Sequence, residues 1–329
     1  MIPTLLGGES LRRCLASLAA QTFPDFEAVI VDNSGHGIAR DLAYSPRVRV
    51  IENNENVGFG AAVNQGWADS KAEFLLTLND DAYPAPRWLD ALVAACGQDP
   101  NIGMCASQIR LLAREGLLDS AGLNIYPDGT AKQRGNGREA SDYGASEEVL
   151  LPSGCAALYR RSMIEQVGSF DPDYFLYVED TDLGLRGRLA GWRCLYVPEA
   201  VVEHEYSKSA GRASGTKAFY VERNRLYTVV KLFPLVLWPL VPILSAWRYL
   251  AHFEALLRGK GLAGEFRGPG ESRWRLVLIV VSAYWHTLIH FGRILRKRRA
   301  ARRTARLGAL GFWRLLRRHA ARAGEVASQ

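Results

Sequence analysis

An apolar run, residues 74–78, ends directly in Asn79, Asp80 and Asp81. Such a run predicts a buried strand, and the two adjacent carboxylates then lie at its carboxyl end, where open α/β sheets bind ligands. Neighbouring acids repel each other and lose hydration at such a place, and a divalent cation offsets both costs. The residue types therefore favour a metal site, and a solvated turn after a strand is the alternative.

A second group of acids, Glu179, Asp180 and Asp182, falls within four residues. Leucines follow at helical spacing and Gly191 closes the pattern, which places these acids in the first turn of a predicted helix. An acid there complements the helix dipole, which stabilises a helix by about 0.3–1 kcal/mol. Three acids exceed that need, so we expect a chemical role for at least one of them.

Strands and helices alternate through the first third of the chain. Apolar runs predict strands at residues 2–5, 27–32, 48–51 and 74–78, and apolar residues at helical spacing predict helices at 11–18, 59–70 and 86–96. This alternation predicts an α/β fold with a doubly wound, mostly parallel sheet. Because the first strand begins beside Met1 with almost no lead-in, we expect the natural start to lie a few residues earlier.

The composition is that of a globular protein, with 48% apolar and 23% charged residues among 329. This length accommodates one large domain or two ordinary ones. The five cysteines are odd in number and lack the paired spacing of a zinc site, which predicts reduced thiols in the cytoplasm. The first residues lack the basic start and the long apolar segment of a signal peptide.

A series of short motifs covers residues 2–230 in a definite order. The motifs are Ile2-Pro3-Thr4, Val31-Asp32-Asn33-Ser34, Asn56-Val57-Gly58-Phe59-Gly60-Ala61-Ala62-Val63-Asn64, Leu78-Asn79-Asp80-Asp81, Pro152-Ser153-Gly154-Cys155, Gly168-Ser169-Phe170-Asp171, Glu179-Asp180-Thr181-Asp182, His204 and Tyr220-Val221-Glu222-Arg223-Asn224. The ordered set resembles the family-2 inverting glycosyltransferases of the GT-A fold, in particular their bacterial rhamnosyltransferase-like branch. Two departures are the truncated start and Asn79 in place of Asp, which leaves Asp81 as the expected metal ligand.

The resemblance implies a reaction: an inverting, metal-dependent transfer of a sugar, with rhamnose as the first choice, from a nucleoside diphosphate sugar (dTDP- or UDP-linked). The implied acceptor is a hydroxyl of a glycan or polyprenyl-linked glycan in cell-envelope polysaccharide synthesis. It further implies that Asp180 is the general base and that Asp81 and His204 hold Mn²⁺ or Mg²⁺. Such a cation neutralises charge on the departing diphosphate, and imidazole favours manganese.

Further residues are assigned to the substrates. We expect donor contacts from Pro3, Thr4, Leu5, Glu9, Asp32, Asn56, Gly58, Asn64, Asp80, Arg223 and Asn224, and contacts to the acceptor or the transferred sugar from Ser153, Gly154 and Glu179. Alternatives remain for four of the assignments. Asp32 could be a turn-forming acid, and Arg223 could pair with Glu222. Ser153 and Gly154 could form a plain glycine turn, and the metal ligand His204 could be a surface or an ion-paired histidine.

The last hundred or so residues have a different character, which predicts a catalytic domain at 1–230 and a helical, membrane-associating region at 231–329. Leu232–Trp247 is uncharged but interrupted by three prolines, and Leu276–Gly292 is uncharged over only 17 residues. Neither predicts a transmembrane helix. Both suit helices that lie in a membrane interface with tryptophan and tyrosine anchors, and a buried helical subdomain is the alternative.

Charge is distributed unevenly along the chain. Between Arg293 and Arg322 lie twelve Lys or Arg and no Asp or Glu, so the net charge of +7 leaves −5 for the remaining residues. We expect this basic tail to bind an anionic membrane at the cytoplasmic face of the inner or plasma membrane, as a peripheral or monotopic protein. The apolar residues expected to insert are Ile294, Leu295, Leu307, Leu310, Phe312, Trp313, Leu315 and Leu316.

Three other functional classes are weighed against this one. Nucleic-acid binding would use the basic tail but leave the acidic first half without a role, so no nucleic acid is expected. A nucleotidyltransferase that makes sugar nucleotides would carry a Gly-rich loop with a lysine or arginine after its first strand. In this chain the first basic residue after that strand is Arg12. A non-catalytic nucleotide-sugar-binding membrane protein would not need Asp180.

Overall fold

The computed structural model describes residues 1–42, 45–205, 214–257 and 273–321. The helices and strands are β1 (Ile2–Thr4), α1 (Gly8–Ala19), β2 (Ala28–Asp32), β3 (Val48–Glu52), α2 (Phe59–Ala68), β4 (Phe74–Leu78), β5 (Ala82–Pro84), α3 (Trp88–Gly97), β6 (Ile102–Leu111), β7 (Leu118–Ser120), β8 (Leu123–Ile125), β9 (Ala131–Gln133), β10 (Glu147–Val149), β11 (Ala156–Arg160), α4 (Arg161–Val167), α5 (Glu179–Leu189), β12 (Arg193–His204), α6 (Gly215–Leu232), α7 (Leu240–Leu257), α8 (Arg273–Ile289), α9 (Phe291–Thr304) and α10 (Ala309–Arg318).

The chain divides into two compact units. The first comprises Met1–Leu123, Gln133–Arg188 and Trp192–Ser209, and the second comprises Asn124–Lys132, Leu189–Gly191 and Ala210–Gln329. Helix α6 runs through residue 230, where we expect the boundary between the catalytic domain and the C-terminal region. That boundary stays a prediction.

The predicted alternation of strands and helices in the first unit is confirmed. Strands β1, β2 and β3 form a parallel sheet, and every residue of β2 is buried, as its apolar sequence requires. Helix α1 buries Leu11, Cys14, Leu15 and Leu18, the face that the spacing predicts. Burial of a leucine side chain of this kind stabilises the fold by about 1.5–3 kcal/mol.

The prediction of a mostly parallel sheet is wrong for the second sheet, which is mixed. Its order is β10-β12-β6-β11-β4, and β11 is antiparallel to both of its neighbours while β6 and β12 are parallel. Strands β5, β7 and β10 also pair antiparallel. Strand β11 is buried at Ala156–Tyr159, and a strand buried on both faces has the same apolar pattern in either direction.

Met1 joins the two sheets of the first unit. Its amino group donates to the Leu76 carbonyl at 2.8 Å, and the Leu78 N–H donates to the Met1 carbonyl at 3.1 Å. Hydrogen bonds from one residue to the two residues that flank Thr77 are the pattern of a parallel pair. The carboxyl ends of β1 and β4 therefore lie side by side.

The second unit is helical and also contains most of the short β8–β9 sheet. Arg298 on α9 donates to the carbonyls of Val230 and Phe233 at 2.9 and 2.7 Å, so it caps the C-terminal end of α6. Among the described residues no single helix is both long and apolar enough to cross a membrane, whereas Val277–Ile289 and Phe291–Thr304, which meet at a bend of 68°, pass that test as a pair.

Three of the residues expected to insert into lipid do not face outward. Ile294, Phe312 and Leu316 are buried inside the second unit, and the Phe312 ring lies 4.9 Å from that of Phe233. That expectation is therefore wrong for these three, because their helices use the apolar side for packing. Arg322, the last residue of the predicted basic tail, lies outside the described residues.

Candidate active site

The two adjacent carboxylates lie where the sequence predicts them, directly after β4. Thr4 at the end of the neighbouring β1 donates its hydroxyl to Asp80 Oδ2 at 2.5 Å. Burial raises the pKa of Asp80 to about 6, with the Thr4 hydrogen bond opposing the shift and the Asp81 charge adding to it. Thr4 and Asp80 thus form one end of the site.

Asp81 and His204 form a buried pair. Strand β5 pairs antiparallel with β12, which sets Ala82 opposite His204. His204 Nε2 then lies 3.2 Å from Asp81 Oδ1, and the two residues are only 7% and 6% exposed. The contact joins a strand-end acid to a histidine 123 residues away and is an ion pair, the alternative given for His204, so a metal role for the two residues stays a prediction.

Asp119 is a member of the site that the sequence analysis missed. Its Oδ2 lies 2.8 Å from His204 Nδ1, and Asn136 Nδ2 donates to its Oδ1 at 3.1 Å. Burial disfavours the charged imidazolium, but Cys155, Asp119 and Asp81 outweigh it and hold the pKa of His204 well above its usual value. Asp119 lies in the short strand β7 without a motif, so only the tertiary contact reveals it.

The Asp81–His204 pair has the donor atoms for a cation. A carboxylate oxygen and an imidazole nitrogen are both common ligands of divalent metals. Asp81 Oδ1 and His204 Nε2 lie 3.2 Å apart as an ion pair, and their role in holding a metal stays a prediction. Among the described residues no group of three or more His, Cys, Asp or Glu could hold a metal.

Asp180 lies in the first turn of α5, as predicted, and its carboxylate is held by backbone amides. The Gly154 N–H donates to Asp180 Oδ2 at 2.8 Å, and the Thr181 N–H donates to Oδ1 at 2.6 Å. Burial raises the pKa of Asp180, and these hydrogen bonds oppose the rise. A Cβ atom on Gly154 would lie 3.2 Å from Asp180 Cβ, so glycine permits this close approach.

The segment Ser153-Gly154-Cys155 connects the two acidic groups. Gly154 binds Asp180, and the next residue accepts a hydrogen bond at its carbonyl from the Asn79 N–H at 2.8 Å. The Cys155 thiol also faces His204. Three consecutive residues therefore bring Asp180 and the Asp81–His204 pair to one edge of the sheet, and Ser153 is buried.

The three acids of α5 have different surroundings. Asp182 is fully buried in an ion pair with Arg186 at 2.9 Å and accepts the Tyr174 hydroxyl at 3.2 Å, which identifies it as structural. Glu179 is buried, and its Oε2 has no hydrogen-bond partner among the described residues. Burial and the Asp180 charge raise the pKa of Glu179 to about 8, so this carboxyl is protonated at neutral pH.

A strained segment leads into these acids. Phe175, Tyr177 and Val178 have φ angles of 61°, 67° and 69°, and such a conformation is a genuine outlier for a β-branched valine. The Phe59 N–H donates to the Phe175 carbonyl at 2.8 Å, and a Cβ atom on Gly58 would lie 2.3 Å from that oxygen. Gly58 is thus required by this protein contact, and its role in donor binding stays a prediction.

Several predicted donor residues also hold the fold. Asp32 accepts the Ser34 and Ala39 N–H groups at 2.9 and 3.0 Å, as a turn-forming acid would. Asn56 Oδ1 accepts the Gly58 N–H at 2.9 Å. Asn64 clamps Phe170 by donating to its carbonyl at 2.8 Å and accepting its N–H at 3.1 Å.

The remaining predicted donor residues differ in exposure. Pro3 lies within β1, while Leu5 and Glu9 are exposed. Arg223 and Asn224 belong to the second unit, where Arg223 Nε donates to Asn224 Oδ1 at 2.9 Å. Contacts of all these residues with a donor stay predictions.

Comparison with known proteins identifies the family of the chain. Residues 1–168 match the model of Glycosyl transferase family 2, and residues 140–301 match that of Glycosyl transferase family group 2. The N-acetylglucosaminyl-diphospho-decaprenol L-rhamnosyltransferase of Mycobacterium tuberculosis is 32% identical over 237 residues, which cover 62% of this chain and 75% of that protein.

Two solved structures share the fold at low sequence identity. The crystal structure of GalNAc-T7 with UDP, GalNAc and Mn²⁺ has a TM-score of 0.56 at 17% identity, over 70% of this chain and 47% of that one. The mannosyltransferase PcManGT of Pyrobaculum calidifontis, in complex with GDP-Man and Mn²⁺, has a TM-score of 0.50 at 19% identity, over 91% of this chain and 84% of that one. The chain therefore belongs to glycosyl transferase family 2 and is a glycosyltransferase with the GT-A fold.

Proposed function

We propose that this protein is an inverting, metal-dependent glycosyltransferase that moves rhamnose from a dTDP-sugar, or another sugar from a UDP-sugar, to a lipid-linked glycan. The observation that carries the proposal is the segment 153–155, which brings the Asp180 carboxylate and the Asp81–His204 pair together. The choice of rhamnose and of a lipid-linked acceptor is supported by the mycobacterial relative, an N-acetylglucosaminyl-diphospho-decaprenol L-rhamnosyltransferase.

The metal site proposed here consists of Asp81 and His204, with Mn²⁺ or Mg²⁺ as the cation. When bound, the cation would neutralise the charge that grows on the departing diphosphate. Asp119 fixes the ring of His204 through Nδ1, so that Nε2 points at Asp81. The two structural neighbours carry Mn²⁺ together with UDP or GDP-Man, which agrees with this choice.

Asp180 takes the proton of the acceptor hydroxyl in this proposal. Its two oxygens are already oriented by the Gly154 and Thr181 amides, and its raised pKa makes it a better base than an ordinary aspartate. Glu179, protonated at neutral pH, can donate a hydrogen bond to a sugar oxygen but cannot accept the proton. One base that acts opposite the leaving group gives a product of inverted anomeric configuration.

The reaction is placed at the cytoplasmic face of the inner or plasma membrane, with the enzyme bound as a peripheral or monotopic protein. The acceptor of the proposed reaction is anchored there, and attachment confines the enzyme's search to a surface. Twelve basic residues between Arg293 and Arg322 supply attraction to anionic lipid, against a net charge of −5 in the rest of the chain.

The test is transfer from dTDP-rhamnose to polyprenyl-diphospho-N-acetylglucosamine with and without Mn²⁺, with UDP-hexoses as competing donors. We expect cation-dependent turnover and a product that NMR shows to have inverted configuration. The Asp81→Ala variant should stay folded and lose the cation dependence of donor binding in calorimetry. A product of retained configuration, or unchanged donor affinity with Mn²⁺ in that variant, would contradict the mechanism.

A further inference from the structure

The interior of the second unit holds a network of charged side chains. Arg225 Nη2 donates to Glu222 Oε1 at 2.5 Å, and Arg248 donates to Asp128 Oδ2 and Glu222 Oε2 at 2.7 and 3.0 Å. Burial would raise the pKa of Glu222, but the two arginines outweigh it and lower that pKa to about 2. All four side chains are buried, so the second unit holds an ion network beside buried apolar residues such as Phe233.

Helix α7 presents an apolar stripe on its outer side. Leu240, Ile243, Trp247 and Leu250 are 44%, 66%, 64% and 61% exposed, and their spacing places them on one face of the helix. The opposite side of the helix is buried. It carries Arg248, which is 6% exposed, and Ser245, three residues earlier, which is 1% exposed.

Helix α8 repeats the arrangement. Leu278, Val281, Trp285 and Leu288 follow one another at helical spacing and are 64%, 58%, 62% and 64% exposed, while Thr287 is 7% exposed. The two helices lie against the same buried side chain, because Arg225 donates to Ser245 on α7 at 3.2 Å and to Tyr284 on α8 at 3.3 Å.

This arrangement reverses the one that water selects. A surface helix of a protein in water turns its apolar stripe to the core and its charges outward. Single exposed apolar residues are common, but two ordered stripes mark a surface that contacts another apolar phase. The outer face of α7 and α8 is therefore a docking surface.

Charge selects the occupant of this surface. Helix α9 follows α8 directly and exposes Arg293, Arg296, Arg299 and Arg303, and no Asp or Glu occurs from Arg273 to Arg322. A symmetric dimer through this face would bring the same surface of both subunits together. The arginine-rich segments of the two copies would then repel each other. An anionic bilayer suits both the apolar stripes and the arginines, because the stripes can lie in its apolar layer and the arginines can pair with its lipid phosphates.

We propose that the outer face of α7 and α8, lined by Leu240, Ile243, Trp247, Leu250, Leu278 and Trp285, lies in one leaflet of an anionic bilayer. The arginines of α9 then lie at the level of the lipid phosphates. The proposal rests on the proposed function only for the presence of the acceptor in that membrane. It differs from attraction by the basic tail alone, because binding through the stripes persists at high salt.

The test is flotation of the full-length protein with vesicles of phosphatidylglycerol and phosphatidylcholine, or of phosphatidylcholine alone, at low and high salt. We expect wild-type protein to float with anionic vesicles at both salt concentrations. At high salt the partition coefficient of the Trp247→Ser/Trp285→Ser variant onto anionic vesicles should fall by about tenfold or more, because the variant lacks two aromatic side chains that insert into the apolar layer. Ile38→Ser, at a residue 40% exposed in the first unit, is the matched control and should bind like wild type.

Two further measurements keep the outcomes separate. Brominated lipids should quench wild-type tryptophan fluorescence and quench the double variant less, which tests insertion even if the variant is less stable. Light scattering without lipid tests the dimer. Unchanged flotation of a folded double variant, or a wild-type dimer that the variant makes monomeric, would overturn the proposal. Calorimetric donor binding in the same samples reports on the proposed function, so its failure is distinguishable from failure of membrane docking.

Discussion

The two units of this protein differ in what they bury and expose, because the second unit buries an ion network beside apolar residues such as Phe312 and exposes apolar stripes on two of its helices. In the first unit the sheets pack apolar side chains such as Trp88 and Tyr159, and the site acids gather at the strand ends. In the second unit Arg225 and Glu222 are buried while Trp247 is 64% exposed. The exposed apolar side chains of the second unit are the ones that the proposed contact with a bilayer would remove from water.

Loss of the base should produce the largest effect on the first unit. Asp180→Asn keeps the shape of the side chain and removes the proton acceptor, so we expect the transfer rate to fall by about 10²- to 10⁴-fold. Donor affinity, measured by calorimetry, should stay within about threefold because the metal pair is untouched. Steady-state kinetics of transfer provides the measurement.

Glu179→Gln is the matched control for that experiment. Because burial raises the pKa of Glu179 to about 8, its glutamine replacement keeps a neutral side chain that can still donate a hydrogen bond to the sugar, and we expect most of the transfer activity to remain at pH 7. The reverse result, an active Asp180→Asn and an inactive Glu179→Gln, would move the base to Glu179.

The placement of these acids could be predicted from the sequence because local patterns determine it. The apolar run before Asp80 and Asp81 predicts a strand and places the two acids at its end. The leucines after Asp180 predict a helix and place Asp180 in its first turn. The Gly154–Asp180 bond joins residues 26 positions apart and the Asp119–His204 contact joins residues 85 apart, so no local pattern contains them.

The same limit applies to the second unit. Leu310 and Leu316 lie on one helix, α10, yet the first is 61% exposed and the second is fully buried. Both have the same apolar side chain, and the side of the helix that carries Phe312 packs on Phe233. An expectation based on apolar residue type alone therefore did not separate the inward from the outward residues of this helix.

The buried ion network offers the next largest effect and tests the interior of the second unit. Arg225→Met leaves Glu222 and Asp128 without one of their two arginines, so we expect a loss of about 3–5 kcal/mol in unfolding free energy. Chemical denaturation measures it. Glu27→Gln at the exposed pair with Arg49 is the control, with an expected loss of about 1 kcal/mol or less. An Arg225→Met protein as stable as wild type would show that the buried ion network does not stabilise the second unit.

Asp119 should have a smaller effect, on metal affinity. Asp119→Asn removes the carboxylate that orients His204, so we expect Mn²⁺ binding to weaken by about 10- to 100-fold in calorimetry. The exposed Asp142→Asn is the control. The measurement needs two pH values, because the protonated His204 must release its proton to bind a cation and the substitution also lowers its pKa. Equal Mn²⁺ affinities in wild type and Asp119→Asn at both pH values would remove Asp119 from the site.

The smallest expected effect is a pH dependence of stability that has opposite signs in the two units. Glu222 has a folded pKa lowered to about 2, so its contribution is present above the ordinary value of 4.5 and is lost as pH falls toward 2. Glu179 has a folded pKa raised to about 8, so the folded state holds its proton more tightly and stability falls as pH rises from 4.5 to 8. The glutamine variant at position 179 carries no such proton. We therefore expect the melting temperature of Glu179→Gln to exceed that of wild type by a margin that widens between pH 6 and pH 9, to roughly a few degrees. Thermal melts of both proteins at four pH values, without metal, measure that margin, and a constant margin would mean that the Glu179 carboxyl is ionised in the folded protein and is free to compete with Asp180 for the acceptor proton.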